Sequence, residues 1–287
     1  MRKGIGTFSY NSSFLNNSVQ IIDGLRSDEL QTATHLKDGL SDLNYEMETP
    51  YCQYHKVESR ANFIVTLGEI RQQCALGLKP IIHIEAHGDN ELGLSISDAR
   101  ELVSWTALCH SLRAINILTK NNTGVVMAAC HGLYAIKPLT IHDPAPFYFL
   151  IGSEGEITAG ELDSQMKKFY MSLFATSSLS VAMNEVDKRF QQFHAERFVC
   201  IALGRLLKSG CMGHGAKARV ERYVTEAVKS GAPVNRESLR KIRKKAKKAV
   251  KPSRGLFERY ARPFLHGRCN IDYGDFLAFL RGGLTRE

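Results

Sequence analysis

No stretch of this 287-residue chain approaches the roughly 18 consecutive apolar residues that a membrane-spanning helix needs, so no membrane span is expected. The start, Met1-Arg2-Lys3-Gly4, is basic, but residues 7–18 are polar and rich in Asn and Ser, so the apolar core of a secretory signal is lacking. Cysteines are odd in number and irregular in spacing: Cys52, Cys74, Cys109, Cys130, Cys200, Cys211 and Cys269. That argues against a disulfide framework and for a reducing, cytoplasmic setting, with most of these thiols packed as small hydrophobes. No internal repeat of solenoid period is present. No acidic metal cluster is complete either, which weakens any reading as a nucleic-acid-processing enzyme.

What is there fits a globular chain. The hydrophobic share is 44%, and the length suffices for one sizeable core plus an appended subdomain. Charge is unevenly spread. Residues 201–287 carry 21 Lys/Arg and 7 Asp/Glu, a net of +14, whereas residues 1–200 carry a net of −5. This asymmetry predicts two regions, 1–197 and 198–287, and an acidic partner for the second.

Along the first region, apolar runs alternate with helical periodicity. Strands are expected at 19–22, 80–86, 125–129 and 147–151, with an extended edge segment at 51–57 and a small hairpin at 89–96. Helices are expected at 27–40 and 61–78, at 98–118 with Ser97 as its cap, and near 159–173 and 180–193. This alternation predicts an α/β fold with a mostly parallel sheet. From about residue 198 the pattern is helical and basic, with helices at 201–207, 216–229 and 237–250. An aromatic cluster follows: Phe257, Tyr260, Phe264, Tyr273, Phe276 and Phe279.

Two patches carry the chemistry. Ile81-Ile82-His83-Ile84-Glu85-Ala86-His87-Gly88 and Val125-Val126-Met127-Ala128-Ala129-Cys130-His131-Gly132 are apolar runs, each ending in a reactive side chain beside glycine. A parallel sheet would bring His87 and Cys130 together at its carboxyl edge, where open α/β folds bind ligands. That is the layout of a cysteine nucleophile with a histidine partner.

Apolar strand, His-Gly, 43 residues from His87 to Cys130, apolar strand, Ala-Cys-x-Gly: this order resembles the caspase-like cysteine peptidases. The resemblance is closest to the CHAT/separase-like branch. It extends through Gly160-Glu161-Leu162, Met166, Phe169-Tyr170 and Leu173 to a further helix through Ala182, and covers roughly residues 19–190. His131 and Ala128 depart from the caspase signature, so aspartate specificity is not implied. The resemblance implies a caspase-like three-layer sandwich and a cysteine endopeptidase in which Cys130 attacks and His87 transfers the proton. The backbone N–H groups of Gly88 and Cys130 would hold the oxyanion, with Gly88 leaving room for substrate. It also implies a protein substrate, no cofactor, and a role in regulated proteolysis such as cell-death or defence signalling. The chain shows no sensor region, so an activating or regulatory protein partner is expected.

By resemblance, a substrate groove is expected after the strand that follows the nucleophile, which here means Ile151-Gly152-Ser153-Glu154-Gly155-Glu156, with Ser153 and Glu154 as the expected contacts. Glu154 and Asp143 either favour a basic residue at the cut or are solvated loop charges. His83 and Glu85 alternate with His87, so they either bind metal with it or, more in keeping with the pattern, support the site or line its pocket. The H-x-E element lacks the P-C-x-x-C partner of zinc deaminases. Cys211, His214, His266 and Cys269 have zinc-compatible chemistry but an unusual order; coincidence is the alternative. The run Arg236 to Lys251 reads as a basic amphipathic helix, for which nucleic acid (through residues 236–254), an acidic protein or an anionic membrane are candidate partners, and a solvated face is the bland reading. The competing reading of the whole chain is an inactive caspase-like scaffold that binds nucleic acid or an acidic protein through this region.

Overall fold

The computed structural model describes residues 14–41, 51–211 and 213–282. Most of the polar start, residues 7–13, lies outside them. The chain divides into two compact units, Ser13–Ala195 and one that takes in Glu196–Glu287.

The first unit is α/β. Its main sheet contains β1 (Ser18–Asp23), β2 (Cys52–Lys56), β3 (Pro80–Glu85), β7 (Gly124–Ala128), β8 (Phe149–Ser153) and β9 (Phe190–His194), in the order β2-β1-β3-β7-β8-β9. All neighbours are parallel except β8 and β9. A second sheet of three short antiparallel strands, β4 (His87–Asp89), β5 (Gly93–Ile96) and β6 (Glu101–Val103), follows β3 directly.

Alternation along the strands divides the core. Val19, Ile21, Ile81, Val126, Ala128 and Ile151 pack with Ala33 and Leu36 of α1 (Thr32–Leu40) and with Leu162, Met166, Phe169 and Tyr170 of α4 (Ala159–Thr176). The intervening Ile22, Ile82, Ile84, Val125 and Met127 are equally buried. They face the side of α2 (Arg60–Ala75) and α3 (Trp105–Leu118), which pack on each other. Each such side chain contributes about 1.5–3 kcal/mol on burial. This arrangement is compatible with a three-layer sandwich. Because the chain runs from β1 to β2 on one side and then returns past β1 to β3, the strand order reverses between β1 and β3. Crevices for ligands open at such a reversal, beyond the carboxyl ends of the strands.

Two expectations are corrected. Ser97 does not cap a helix; its φ is 50°, and the chain makes a turn and then strand β6 before Ser104 accepts the N–H of Ala107 and starts α3. Leu102 consequently lies on a strand and is 44% exposed. Residues 180–193 are not one helix: α5 (Leu179–Asn184) is short, and β9 adds an antiparallel edge to β8.

The second unit is helical: α6 (Ala195–Cys211), α7 (Gly213–Lys229), α8 (Arg236–Val250), α9 (Arg254–Phe264) and α10 (Tyr273–Gly282). Phe257, Phe264 and Phe276 are buried, with the Phe257 and Phe276 rings 4.6 Å apart. Glu196 is fully buried there. Burial pushes its carboxyl up to about 7, against the opposing Asn270 backbone hydrogen bond and the Arg268 charge. A carboxyl raised in the folded state leaves full stability below its unfolded pKa of about 4.5, and the stability falls as pH rises toward 7. The drop is roughly 3 kcal/mol. Glu196→Gln should therefore flatten the thermal stability of this unit between pH 4.5 and 7.5 and raise it at pH 8. A parent chain whose melting temperature is constant across that range would contradict the assignment.

Candidate active site

Glu85 of β3 pairs in register with Ala128 of β7, and His87 and Cys130 each lie two residues beyond that pair. The two side chains expected to act together thus leave neighbouring tips of one parallel sheet. The tips are in direct contact, since a Cβ on Gly88 would run into the carbonyl oxygen of Cys130. Glycine at position 88 is therefore required by its fit against the Cys130 backbone, and Gly88 also lines the cavity beside Cys130.

Cys130 is half-buried, and its sulfur sits 3.4 Å from the Ile157 N–H, which donates to it, and 3.5 Å from the Ile157 carbonyl. The next residue, His131, takes a left-handed conformation, φ 55°, and starts a 3-10 turn over Gly132–Ile136. That bend is held by the His131 N–H on the Gly155 carbonyl (3.0 Å) and by His131 Nδ1 on the Glu154 carbonyl (2.9 Å). A chain that turns this sharply just past β7 leaves the half-buried Cys130 side chain at the tip of the strand. Here that side chain lines an open cavity of about 530 Å³.

The His87 imidazole does not hydrogen-bond the sulfur. Its Nε2 is 2.6 Å from Glu29 Oε1. Glu29 lies on the loop after β1, on the third strand tip at the point where the strand order reverses. Burial of the Glu29 carboxyl works against ionisation. Hydrogen bonds from the backbone and side chain of Arg26 and from His87 outweigh it and hold the group below its usual range. The Arg26 contacts measure 3.1 and 2.8 Å. A carboxylate fixed on one ring nitrogen sets tautomer and orientation and leaves the other nitrogen for proton transfer. Glu29→Gln should slow any reaction of Cys130 on the order of 10- to 100-fold with little change in melting temperature, and Glu29→Asp should recover part of it. Equal rates in parent and Glu29→Gln chains would remove Glu29 from the site.

The other expected site residues fall elsewhere. His83 and Glu85 are 0% and 1% exposed and belong to the core. His83 Nε2 lies 2.9 Å from Glu85 Oε1, Tyr170 Oη lies 3.2 Å from His83 Nδ1, and the Thr32 hydroxyl donates to Glu85. They brace the end of β3 just before His87 and do not line the cavity. Ser153 is buried, its hydroxyl closing the turn with Gly155, and Glu154 supplies its carbonyl to His131 while its carboxylate faces solvent. Asp143 is exposed and accepts from the Thr140 hydroxyl. The carboxylates that do line the cavity are Asp89, Glu156 and Glu161, with Arg189 as the counter-charge. Glu161 is held at about 2 by its 2.7 Å hydrogen bond from Arg189 and by the backbone of Thr158. Among the described residues no group of three or more His, Cys, Asp or Glu side chains could hold a metal ion, so Cys211, His214, His266 and Cys269 are not assembled as a zinc site. The Cys211 sulfur instead faces the Arg219 guanidinium at 3.2 Å. No helix among the described residues is long and apolar enough to cross a membrane.

Sequence reasoning missed Glu29 by reading residues 27–40 as one helix. The available signal was positional: the residues after β1, like those after β3 and β7, had to meet at the carboxyl edge. No protein-family model matches the chain, and no curated protein matches it.

Proposed function

We propose that the chain is a caspase-like cysteine endopeptidase, nearest to the CHAT/separase-like branch, that cleaves a protein partner. The observation that carries this reading is the equivalent position of His87 and Cys130 past the register pair Glu85 and Ala128, with the sulfur lining an open cavity. The Cys130 thiolate attacks the peptide carbonyl and forms a thioester bond. The C–N bond breaks as the imidazolium of His87 gives its proton to the leaving amine, and water activated by His87 then releases the acid. The N–H groups of Gly88 and Cys130 serve as oxyanion donors by resemblance to the family. Glu29 positions the imidazole.

Asp89 and Glu156 form no ion pair within 4 Å among the described residues, and their charge makes the cavity a place for a basic side chain, although Asp89 also feels the charges of His131 and Lys137. A peptide-library assay should therefore show cleavage after Lys or Arg. Because family members act in regulated proteolysis, the assay belongs with and without candidate activating proteins, in the reducing conditions of a cytoplasmic setting. Cleavage confined to acidic positions would refute the specificity. Absence of cleavage together with an inert Cys130 would refute the peptidase and leave an inactive scaffold, a reading favoured by one observation: His87 bonds Glu29 rather than sulfur.

A further inference from the structure

The positive charge of the helical unit is organised on one helix. α8 holds eight Arg and Lys residues and one Glu in 15 residues. Its orientation is fixed by α7. Ala246 and Val250 are buried in a cluster with Val220, against which Ala216 packs, and Arg243 reaches across to Glu221 with two hydrogen bonds of 3.0 and 3.1 Å. Arg236, Arg240, Arg243, Lys244 and Lys247 line a concave surface of about 440 Å³. They follow one another at steps of four, three, one and three residues, the spacing of a single helix face, over about 16 Å. Arg236, Arg240, Lys244 and Lys247 are exposed and make no ion pair within 4 Å among the described residues, though Lys247 helps Arg243 hold down the Glu221 carboxyl, whereas neighbouring Lys241 is bound to Glu237 at 2.7 Å. Like charges one helical turn apart repel by a few tenths of a kcal/mol per pair, a cost that a bound polyanion removes.

We propose that this face of α8 binds the phosphodiester backbone of a nucleic acid. Arginine forks and lysine ammonium groups in a row match successive phosphates, and contacts of this kind carry no base information, so binding is independent of sequence. A membrane-surface helix would instead bury its apolar side in lipid. Here that side includes Ala246 and Val250, which α7 already covers.

The test uses the full chain and fluorescein-labelled 20-nucleotide single-stranded RNA, single-stranded DNA and duplex DNA, followed by anisotropy between 50 and 200 mM salt. Four exposed cations on duplex DNA give a slope of log K against log salt of about −3 to −4. Replacing Arg240, Lys244 and Lys247 together with Gln should reduce that slope by about three and weaken binding at 50 mM salt on the order of 100-fold. The helical circular dichroism should be unchanged. Replacing Lys241, Lys245 and Lys248, equal in charge but outside the row, should cost less than tenfold. No binding at 50 mM salt, equal losses from both triple variants, or tighter association with phosphatidylserine vesicles than with any of the three nucleic acids would overturn the proposal.

Discussion

Cys130→Ala is expected to abolish peptide cleavage, at least about 1,000-fold below the parent, while moving the melting temperature by no more than a few degrees. Removing a nucleophile eliminates the covalent pathway itself, and in such sites one deletion costs nearly as much as removing the whole constellation. The structural cost is small because the thiol is half-buried and its contacts are two weak ones, to the N–H and carbonyl of Ile157. Four of the six remaining cysteines do not substitute for it. Burial pushes the Cys52 thiol up to about 11 and the Cys74 and Cys109 thiols up to about 12, and it raises Cys200 further, so these stay protonated at neutral pH. Cleavage that persists in the Cys130→Ala chain at more than about a tenth of the parent rate would mean that another group does the chemistry.

Gly88→Ala should be nearly as damaging, for a different reason. The added Cβ meets the carbonyl oxygen of Cys130, a backbone atom that cannot swing aside. The tips of β3 and β7 must separate, which moves His87 away from Cys130. A displacement of about 1 Å in such a pair lowers rates on the order of 100-fold, and the overpacking costs about 1–3 kcal/mol. The control is Gly68→Ala in α2, where an added methyl meets nothing within 4 Å. There the helix gains about 0.5–1 kcal/mol and the reactivity of Cys130 should be untouched. A Gly88→Ala chain as stable and as reactive as the parent would show that the two tips are not in the contact described.

Sheet strands β1, β3 and β7 are legible in the sequence because they are buried on both faces and therefore read as mostly apolar runs, broken by the buried Gln20 in β1 and by His83 and Glu85 in β3. The positions of His87 and Cys130 follow from the same runs, because both sit where the runs end in glycine. The misreadings occur where local pattern is ambiguous. Ser97 and Ser104 both precede helix-like spacing, and only the positive φ at Ser97, which a sequence does not display, decides between them. β9 is an edge strand whose Phe-Gln-Gln-Phe run breaks strict alternation, so helical periodicity claims it first. Among site residues, the alternation of His83 and Glu85 with His87 suggested a shared face toward substrate. That face is instead covered by α1 and α4, where Thr32 and Tyr170 complete their hydrogen bonds. Asp89 lies just past His87 and Glu156 in the expected groove segment, but Glu29 and Glu161 come from a loop and a helix start distant in sequence, and only the fold brings them to the tips of β3 and β7.

Alkylation of Cys130 by a peptide electrophile carrying a basic residue, timed at neutral pH by intact mass, tests the pairing of His87 with Cys130 most directly. The parent chain should take up one label, located at Cys130, and His87→Ala should react on the order of 100-fold more slowly with its fold preserved. Equal rates in the two chains, or labelling of Cys269 in preference to Cys130, would contradict the pairing and with it the peptidase.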